Sequence, residues 1–125
     1  MNEESSNQTI LLVEDDEDIN FFMTQALEQV TPYEAVSVPD ATSALEVADV
    51  VKPDLFILDY RLPDLNGLEL SDRLHAIEGL ETVPTIMISA NTLPRNELRQ
   101  RHITYLKKPF DLSHLLETVE KLIAA

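Results

Sequence analysis

The chain has no cysteine and no tryptophan, only two glycines, and only nine basic residues among its 125 positions. Without cysteine it can form neither a disulfide bond nor a thiolate metal site. Its longest unbroken apolar runs are four residues, whereas a membrane-spanning helix needs roughly 20. The first eight residues are polar and acidic, unlike a secretory signal peptide. These absences lead us to expect a cytoplasmic protein.

Acidic residues, by contrast, are abundant. The 23 acids outweigh the nine bases and give a formal net charge of −14. This charge argues against a nucleic-acid or anionic-membrane partner, because such binding depends on a basic surface. Apolar residues make up 44% of the chain, which is enough for one hydrophobic core in a domain of this length. We expect a flexible tail at residues 1–8 and a single domain at residues 9–125.

Short apolar runs alternate with segments whose apolar residues recur every three or four positions, which predicts strands alternating with amphipathic helices. The predicted strands are 9–13, 34–38, 55–58, 85–89 and 104–106. The expected buried face of the first helix carries Ile19, Phe22, Met23, Ala26, Leu27 and Val30. Asp40 is a good N-cap for the second helix, and a short fourth helix should follow Pro94. Unbroken apolar strands are buried on both faces, so we expect an α/β fold, a doubly wound five-stranded parallel sheet with five helices.

Two of the apolar runs end directly on acidic side chains. These acids are Glu14, Asp15 and Asp16 after the first strand, and Asp59 after the third. The carboxyl ends of the strands in such a sheet meet in one crevice, where ligands bind. Carboxylates gathered there repel one another unless a cation lies among them. Because Mg²⁺ prefers oxygen ligands, the pattern predicts a divalent-metal site with one acid left to react.

Two further groups suit phosphoryl chemistry at that edge. A carboxylate nucleophile can accept a phosphoryl group, whose charged oxygens require cations and hydrogen-bond donors. Ser89 offers a hydroxyl, and Lys108 offers an ammonium that a cis peptide bond to Pro109 would aim inward. Taken singly, the acids would be helix caps or turn residues. Ser89 alone would simply be the last residue of a strand. Their joint placement favours a site.

Histidine offers no competing chemistry in this sequence. No pair of histidines stands at zinc-ligand spacing, and no nucleophile is paired with a histidine as in a hydrolase. His75, His102 and His114 are isolated, and we expect all three at the surface.

In the order and placement of these residues the chain resembles the receiver domain of two-component response regulators. The matching segments are Leu12–Asp15, Pro53–Asp59, Leu62–Pro63 with Gly67, Ser89–Ala90 and Tyr105–Phe110. Each segment alone is weakly specific, but the ordered set covers nearly the whole chain, from residue 9 to residue 125. The resemblance implies a flavodoxin-like sheet with strand order 2-1-3-4-5.

The resemblance also implies a role for each acid at the crevice. Asp59 would be the phosphoacceptor. Glu14 and Asp15 would hold Mg²⁺ together with Asp59, and the backbone carbonyl of Arg61 would be a further ligand. Asp16 then becomes an N-cap or first-turn acid, which is favourable at a helix N-terminus.

Three other positions receive implied roles at the phosphoryl group. Ser89 would hydrogen-bond to it and move toward it, and Lys108 would pair with one of its oxygens. Tyr105 would be the switch aromatic, changing rotamer as Ser89 moves.

Arg61 and Asn91 stand two positions beyond Asp59 and Ser89, where their side chains would shield or position the attacking water.

Family members take the phosphoryl group from a histidine kinase or a His phosphotransfer protein. Because the chain has the length of a single domain, we expect a stand-alone receiver that catalyses only its own phosphorylation and dephosphorylation and acts on a partner protein or in a phosphorelay. The first alternative is a pseudo-receiver that binds partners without phosphorylation. An aspartyl-phosphate phosphatase would need a second Asp where Arg61 stands, and a flavin carrier would need a Gly-rich phosphate loop after the first strand.

One segment departs from the family pattern. The stretch between Asn91 and Ile103 is a few residues shorter than usual, and His102-Ile103-Thr104 replaces the usual Gly-Ala before the fifth strand. We therefore expect a short or irregular fourth helix. Many receivers dimerise or bind targets through the face that contains this helix. With that face altered, we expect a monomer or an atypical dimer.

Overall fold

The structure is a computed structural model that describes residues 8–124, and it confirms five strands alternating with five helices. The elements are β1 Thr9–Val13, α1 Glu17–Val30, β2 Glu34–Val38, α2 Ala41–Val51, β3 Leu55–Asp59, α3 Gly67–His75, β4 Thr85–Ser89, α4 Arg95–Gln100, β5 Ile103–Lys107 and α5 Leu112–Ala124. The fourth helix is short, as predicted. The expected flexible tail falls on residues 1–8, of which only Gln8 lies within the described range. No helix in that range has both the length and the apolar character needed to cross a membrane.

All five strands form one parallel sheet in the order β2-β1-β3-β4-β5. This order confirms the flavodoxin-like topology. The register aligns the carboxyl ends of the central strands at one edge of the sheet. The relevant neighbours are Val13 with Leu58, Asp59 with Ile88, and Ser89 with Lys107. The residues that follow these ends are thereby brought together without any long loop.

The core consists of two apolar layers, one on each face of the sheet. One layer joins alternate strand residues such as Leu11 and Phe56 to the inner faces of α2, α3 and α4. The other joins their neighbours, including Ile10 and Leu55, to α1 and α5. Every residue of β3 and β4 is buried, because a helix layer covers each face. The prediction of strands buried on both faces is confirmed for these two.

The buried face of α1 is narrower than the sequence indicated. Met23 and Leu27 are buried as expected, but Phe22 is 58% exposed and Val30 is 62% exposed. Successive helical residues are turned by about 100°, so Phe22 lies far around the helix from Met23 although its spacing from Ile19 fits the pattern. The prediction that Phe22 and Val30 face the core is therefore wrong.

The prediction that all three histidines are surface residues is wrong for His75. His102 and His114 are exposed, but His75 is half-buried. Its Nδ1 lies 2.8 Å from the carbonyl oxygen of Ser71, and its Nε2 lies 2.9 Å from that of Val83. The ring also packs edge-on against Phe56, with centroids 5.5 Å apart. His75 therefore joins the end of α3 to the segment that enters β4.

The loop between β3 and α3 is fastened to the N-terminus of α2 by Asp64. Its carboxylate accepts the backbone amides of Ala41 and Thr42, each at 3.0 Å, and the Thr42 hydroxyl at 2.9 Å. The predicted N-cap Asp40 accepts the Ser43 amide at 2.8 Å. The Ala41 hydrogen bond is the largest contribution lowering the pKa of Asp64 below its ordinary value. The Asp64 carboxylate, which caps the N-terminus of α2, thus anchors the loop that follows Asp59.

We expect Asp64→Ala to lower the free energy of unfolding by about 1 kcal/mol at neutral pH, the usual loss on removing a helix-capping side chain. Because folding lowers the pKa of Asp64, its contribution is present above the ordinary carboxyl pKa and is lost as the pH falls through the folded-state value. Urea denaturation at neutral and acidic pH measures both effects. Glu46→Ala is the control, since Glu46 is exposed on the same helix and makes no side-chain hydrogen bond among residues 8–124. An equal loss at both pH values would contradict the role of the Asp64 charge.

Candidate functional site

Three carboxylates meet at the carboxyl edge of the sheet. Glu14, Asp15 and Asp59 each offer an oxygen, and these oxygens lie within 4.8 Å of one another. Glu14 and Asp59 are buried, whereas Asp15 is exposed at the rim. Oxygen donors at this separation can share one divalent cation that keeps part of its water shell. The donor set therefore fits Mg²⁺, the ion that the sequence predicts.

Hydrogen bonds show that Glu14 and Asp16, two of the acids after β1, have different roles. The Asp16 amide donates to the Glu14 carboxylate at 3.0 Å, and the Asn20 side chain donates to the Glu14 carbonyl at 3.0 Å. The Asp16 carboxylate turns the other way and accepts the amides of Asp18 and Ile19 at the start of α1. Asp16 is therefore the helix cap, as predicted, and Glu14 points toward Asp59.

Lys108 lies between the two buried acids. Its Nζ is 3.6 Å from a Glu14 carboxylate oxygen and 3.6 Å from one of Asp59. The Lys108 amide donates to the Ser89 carbonyl at 2.9 Å, which continues the pairing of β4 with β5 beyond the strand ends. The Lys108–Pro109 peptide bond is cis, as the sequence predicted. One ammonium thus offsets part of the repulsion between two buried carboxylates.

The pKa of Glu14 is raised from 4.5 to about 7. Burial is the largest cause and the nearby charge of Asp59 acts in the same direction, while the Asp16 amide and Lys108 lower the pKa. The protonated form is favoured because an uncharged carboxyl loses less hydration on burial and can hydrogen-bond to Asp59. A cation bound among the three acids would compete directly with this proton.

The turn after β4 connects Ser89 with Tyr105. The buried Ser89 hydroxyl accepts the Asn91 amide at 3.0 Å. The hydroxyl of half-buried Tyr105 donates to the Ser89 carbonyl at 3.3 Å and also to the Asn91 carbonyl. A shift of this turn would therefore alter the hydrogen bonds of Tyr105.

An open cavity of about 460 Å³ gives access to the acids. It is lined by Glu14, Asp15, Asp16, Ile19, Asp59, Arg61, Ser89, Ala90, Asn91 and Lys108. Every predicted site residue except Tyr105 contributes to this lining, and Tyr105 is joined to it through the turn after β4. The Arg61 amide lies 3.4 Å from an Asp59 carboxylate oxygen. That contact places the Arg61 backbone beside the acid, and the ligand role of its carbonyl stays a prediction.

Gly67 supports the site in a way that the sequence did not reveal. A Cβ at this position would lie 3.0 Å from the carbonyl oxygen of Asp59 and would overlap the sulfur of Met87. The Gly67 amide also donates to the Tyr60 carbonyl at 2.7 Å. The start of α3 therefore packs directly on the backbone of Asp59. The motif suggested only a flexible helix entry, since the contact with Met87 depends on a neighbouring strand.

The family model described as "Response regulator receiver domain" matches residues 10–120. The chain belongs to the response regulator receiver family. Among curated proteins, this receiver is 28% identical to the polar-differentiation response regulator DivK of Brucella anthropi over 119 residues, which cover 93% of this chain and 96% of that protein. It is 29% identical to DivK of Brucella ovis with the same coverage.

Solved receivers share the fold over nearly their whole length. The chemotaxis protein CheY4 of Vibrio cholerae is 25% identical, with a TM-score of 0.86 and coverage of 94% of this chain and 99% of that one. The receiver domain of a Pseudomonas aeruginosa sensor histidine kinase is 30% identical, with a TM-score of 0.84 and coverage of 96% and 100%. That domain was solved with a magnesium ion coordinated in its active-site cleft.

We expect Mg²⁺ to bind this receiver more weakly at pH 6 than at pH 8. Below the raised pKa of Glu14 the ion must displace a proton, so affinity should fall by at most about tenfold per pH unit. Titration of Mg²⁺ followed by NMR chemical shifts measures the dissociation constant at each pH. Glu14→Gln should bind Mg²⁺ more weakly and lose most of this pH dependence. Equal wild-type affinity at both pH values would contradict the assigned proton.

We expect Gly67→Ala to cost about 1–3 kcal/mol of folding free energy, the range for overpacking a tight site. Because the added methyl group presses on the Asp59 carbonyl, Mg²⁺ affinity should fall as well. Gly79→Ala is the matched control, since Gly79 has φ +92° but no atom within 4 Å of its would-be Cβ. Denaturation and Mg²⁺ titration of both variants provide the comparison. A loss of Mg²⁺ affinity in both would point to general destabilisation.

Proposed function

We propose that this receiver accepts a phosphoryl group on Asp59 in a Mg²⁺-dependent reaction. The observation that carries the proposal is the position of Asp59, which is 6% exposed, lies beside two further acids and Lys108, and lines an open cavity. A buried carboxylate with a neighbouring ammonium and a cation-binding donor set suits nucleophilic attack on phosphorus.

In the transfer step, an Asp59 carboxylate oxygen forms a bond to phosphorus. The phosphorus–nitrogen bond of a phosphohistidine donor breaks, and its electron pair stays on the imidazole nitrogen. Mg²⁺ held by Glu14, Asp15 and Asp59, with the Arg61 carbonyl, would neutralise charge on the phosphoryl oxygens. Lys108, whose Nζ lies 3.6 Å from an Asp59 carboxylate oxygen, would provide a second positive charge. The acid cluster supports the metal assignment because its oxygens match the preference of Mg²⁺.

Ser89 and Tyr105 would report the state of Asp59. The Ser89 hydroxyl accepts the Asn91 amide, and in the phosphorylated protein it would donate to a phosphoryl oxygen instead. The Tyr105 hydroxyl is bonded to both carbonyls of the same turn, so the turn offers a direct route for the change. Arg61 and Asn91 line the cavity, where their side chains would position or exclude the hydrolytic water.

The proposed donor is a histidine kinase or a His phosphotransfer protein, and the proposed output is altered binding of a target protein or transfer to another histidine. We propose a cytoplasmic monomer, or an atypical dimer, that turns over no independent substrate. A pseudo-receiver is disfavoured because Glu14, Asp15, Asp59, Ser89 and Lys108 are all present and converge on one cavity. Such a complete set would serve no purpose in a phosphorylation-independent module.

Incubation with Mg²⁺ and acetyl phosphate, followed by intact mass measurement, tests the proposal. Wild-type protein should gain one phosphoryl group, and Asp59→Asn should gain none because the nucleophilic oxygen is replaced by an amide. Asp49→Asn, which alters an exposed acid on α2, should behave as wild type. Failure of the wild type with both acetyl phosphate and a phosphorylated kinase as donor would favour the pseudo-receiver.

A further inference from the structure

The backbone carbonyl of Glu14 lies just beyond the last paired residue of β1. The Glu14 amide still donates to the Val38 carbonyl at 3.1 Å, which extends the pairing of β1 with β2 by one residue. β2 ends at Val38, and the chain then turns into α2. Among residues 8–124 no backbone amide donates to the Glu14 carbonyl. Because Glu14 is only 2% exposed, this carbonyl needs a donor from a side chain.

Asn20 supplies that donor from α1. Its side-chain Nδ2 donates to the Glu14 carbonyl at 3.0 Å. Asn20 is half-buried and stands six residues further along the chain. The hydrogen bond therefore joins the end of β1 to α1 across the loop that carries Asp15 and Asp16.

The direction of the Asn20 amide is set by Thr24. The Thr24 hydroxyl donates to the Asn20 backbone carbonyl at 2.7 Å and lies 3.4 Å from the Asn20 side-chain oxygen. The side-chain oxygen therefore faces a hydroxyl, and the NH₂ group faces the Glu14 carbonyl. A reversed amide would place two carbonyl oxygens against each other, with no hydrogen between them.

This hydrogen bond acts on the peptide unit that joins the two consecutive metal-binding acids. The unit between Glu14 and Asp15 is planar, so a bond to the Glu14 carbonyl also fixes the direction of the Asp15 amide. The Asp15 side chain is exposed and makes no hydrogen bond with another of residues 8–124. The Glu14 carboxylate, by contrast, accepts the Asp16 amide at 3.0 Å. The position of the Asp15 carboxylate therefore depends on its backbone.

We propose that Asn20 is a positioning residue for the metal site: its side-chain amide fixes the Glu14–Asp15 peptide and thereby keeps the Asp15 carboxylate beside those of Glu14 and Asp59. The inference rests on the proposed function, because it concerns the same site. Asn20 is not part of the cavity lining, so it acts through the two acids and not on the phosphoryl group. Removal of a group that holds metal ligands in place typically weakens metal binding by about 10- to 100-fold.

Asn20→Leu tests the proposal, since it removes the donor while nearly preserving side-chain volume. We expect the dissociation constant of Mg²⁺, titrated by NMR at pH 8, to rise about tenfold. Phosphorylation by acetyl phosphate should need correspondingly more Mg²⁺ for half-saturation. At saturating Mg²⁺ its rate should stay within about threefold of wild type, because the ligands themselves are unchanged. In the metal-free protein, the resonance of the Glu14 carbonyl carbon should move upfield as its hydrogen bond is lost.

Thr31→Val is the matched control for loss of a buried polar contact in the same part of the chain. The Thr31 hydroxyl follows the far end of α1, where it donates to the Leu27 carbonyl at 2.6 Å and accepts the Tyr33 amide at 3.2 Å. This variant should unfold at lower urea concentration. Its Mg²⁺ dissociation constant should stay within about twofold of wild type, because distant sites act independently.

Asn20→Asp separates the direction of the hydrogen bond from the effect of charge. The substitution keeps the shape of the side chain but replaces the donating NH₂ group with an oxygen. Its added negative charge alone would strengthen the binding of a cation. We nevertheless expect Mg²⁺ to bind more weakly than in wild type, because the Glu14 carbonyl then faces a second acceptor. This nearly isosteric variant also provides a second test should Asn20→Leu fail to fold.

Four results would each overturn the inference. These are equal Mg²⁺ affinity in wild type and Asn20→Leu, an equal loss of affinity in Thr31→Val, tighter binding in Asn20→Asp, and an unchanged Glu14 carbonyl resonance in the metal-free Asn20→Leu protein. Intact mass after acetyl phosphate treatment tests the proposed function separately. A wild-type protein that gains a phosphoryl group while Asn20→Leu binds Mg²⁺ normally would refute this inference alone. A wild-type protein that binds Mg²⁺ but gains no phosphoryl group from either donor would refute the proposed function.

Discussion

The repulsion between two buried carboxylates is the interaction on which the rest of this structure depends. Glu14 and Asp59 are held together because β1 and β3 are adjacent and end at the same level of the sheet. Burial of such a pair is unfavourable unless positive charge or a proton is supplied. Lys108 supplies the charge from the end of β5, yet burial, the largest cause, together with the charge of Asp59 still raises the pKa of Glu14 to about 7. A cation bound among these acids would relieve the remaining repulsion.

The segment that follows Asp59 is fastened at two points. Asp64 fastens the loop to α2, and Gly67 brings α3 against the Asp59 backbone. The turn after β4 is held by the hydroxyls of Ser89 and Tyr105. Asp59, the proposed nucleophile, thus lies beside the braced segment, and the groups proposed to respond lie on the turn after β4. Such a division would suit a switch, since the proposed reacting atom would stay in place while its surroundings rearrange.

Much of this fold could be predicted from local sequence patterns. The apolar runs at Leu55–Leu58 and Ile10–Val13 identified central strands, and the acids directly after them identified the edge at which a site would form. What escaped prediction depends on contacts between distant segments. His75 bonds to the carbonyl of Val83, and Gly67 packs on Met87, and neither contact leaves a local signature. Helical periodicity also assigned Phe22 to the core, because spacing alone does not give the width of the buried stripe.

The uneven placement of charge has a consequence for motion before contact. A molecule whose residues 89–110 carry a charge of +4, from five bases and one acid, while the rest of the chain carries −18, from four bases and 22 acids, has an electric dipole moment as well as a net charge. The field of an approaching charged protein exerts a torque on such a dipole and turns the receiver during diffusion. Collisions would then occur preferentially in one orientation. Added salt would weaken this torque, so ionic strength would govern how often an encounter begins in the preferred orientation.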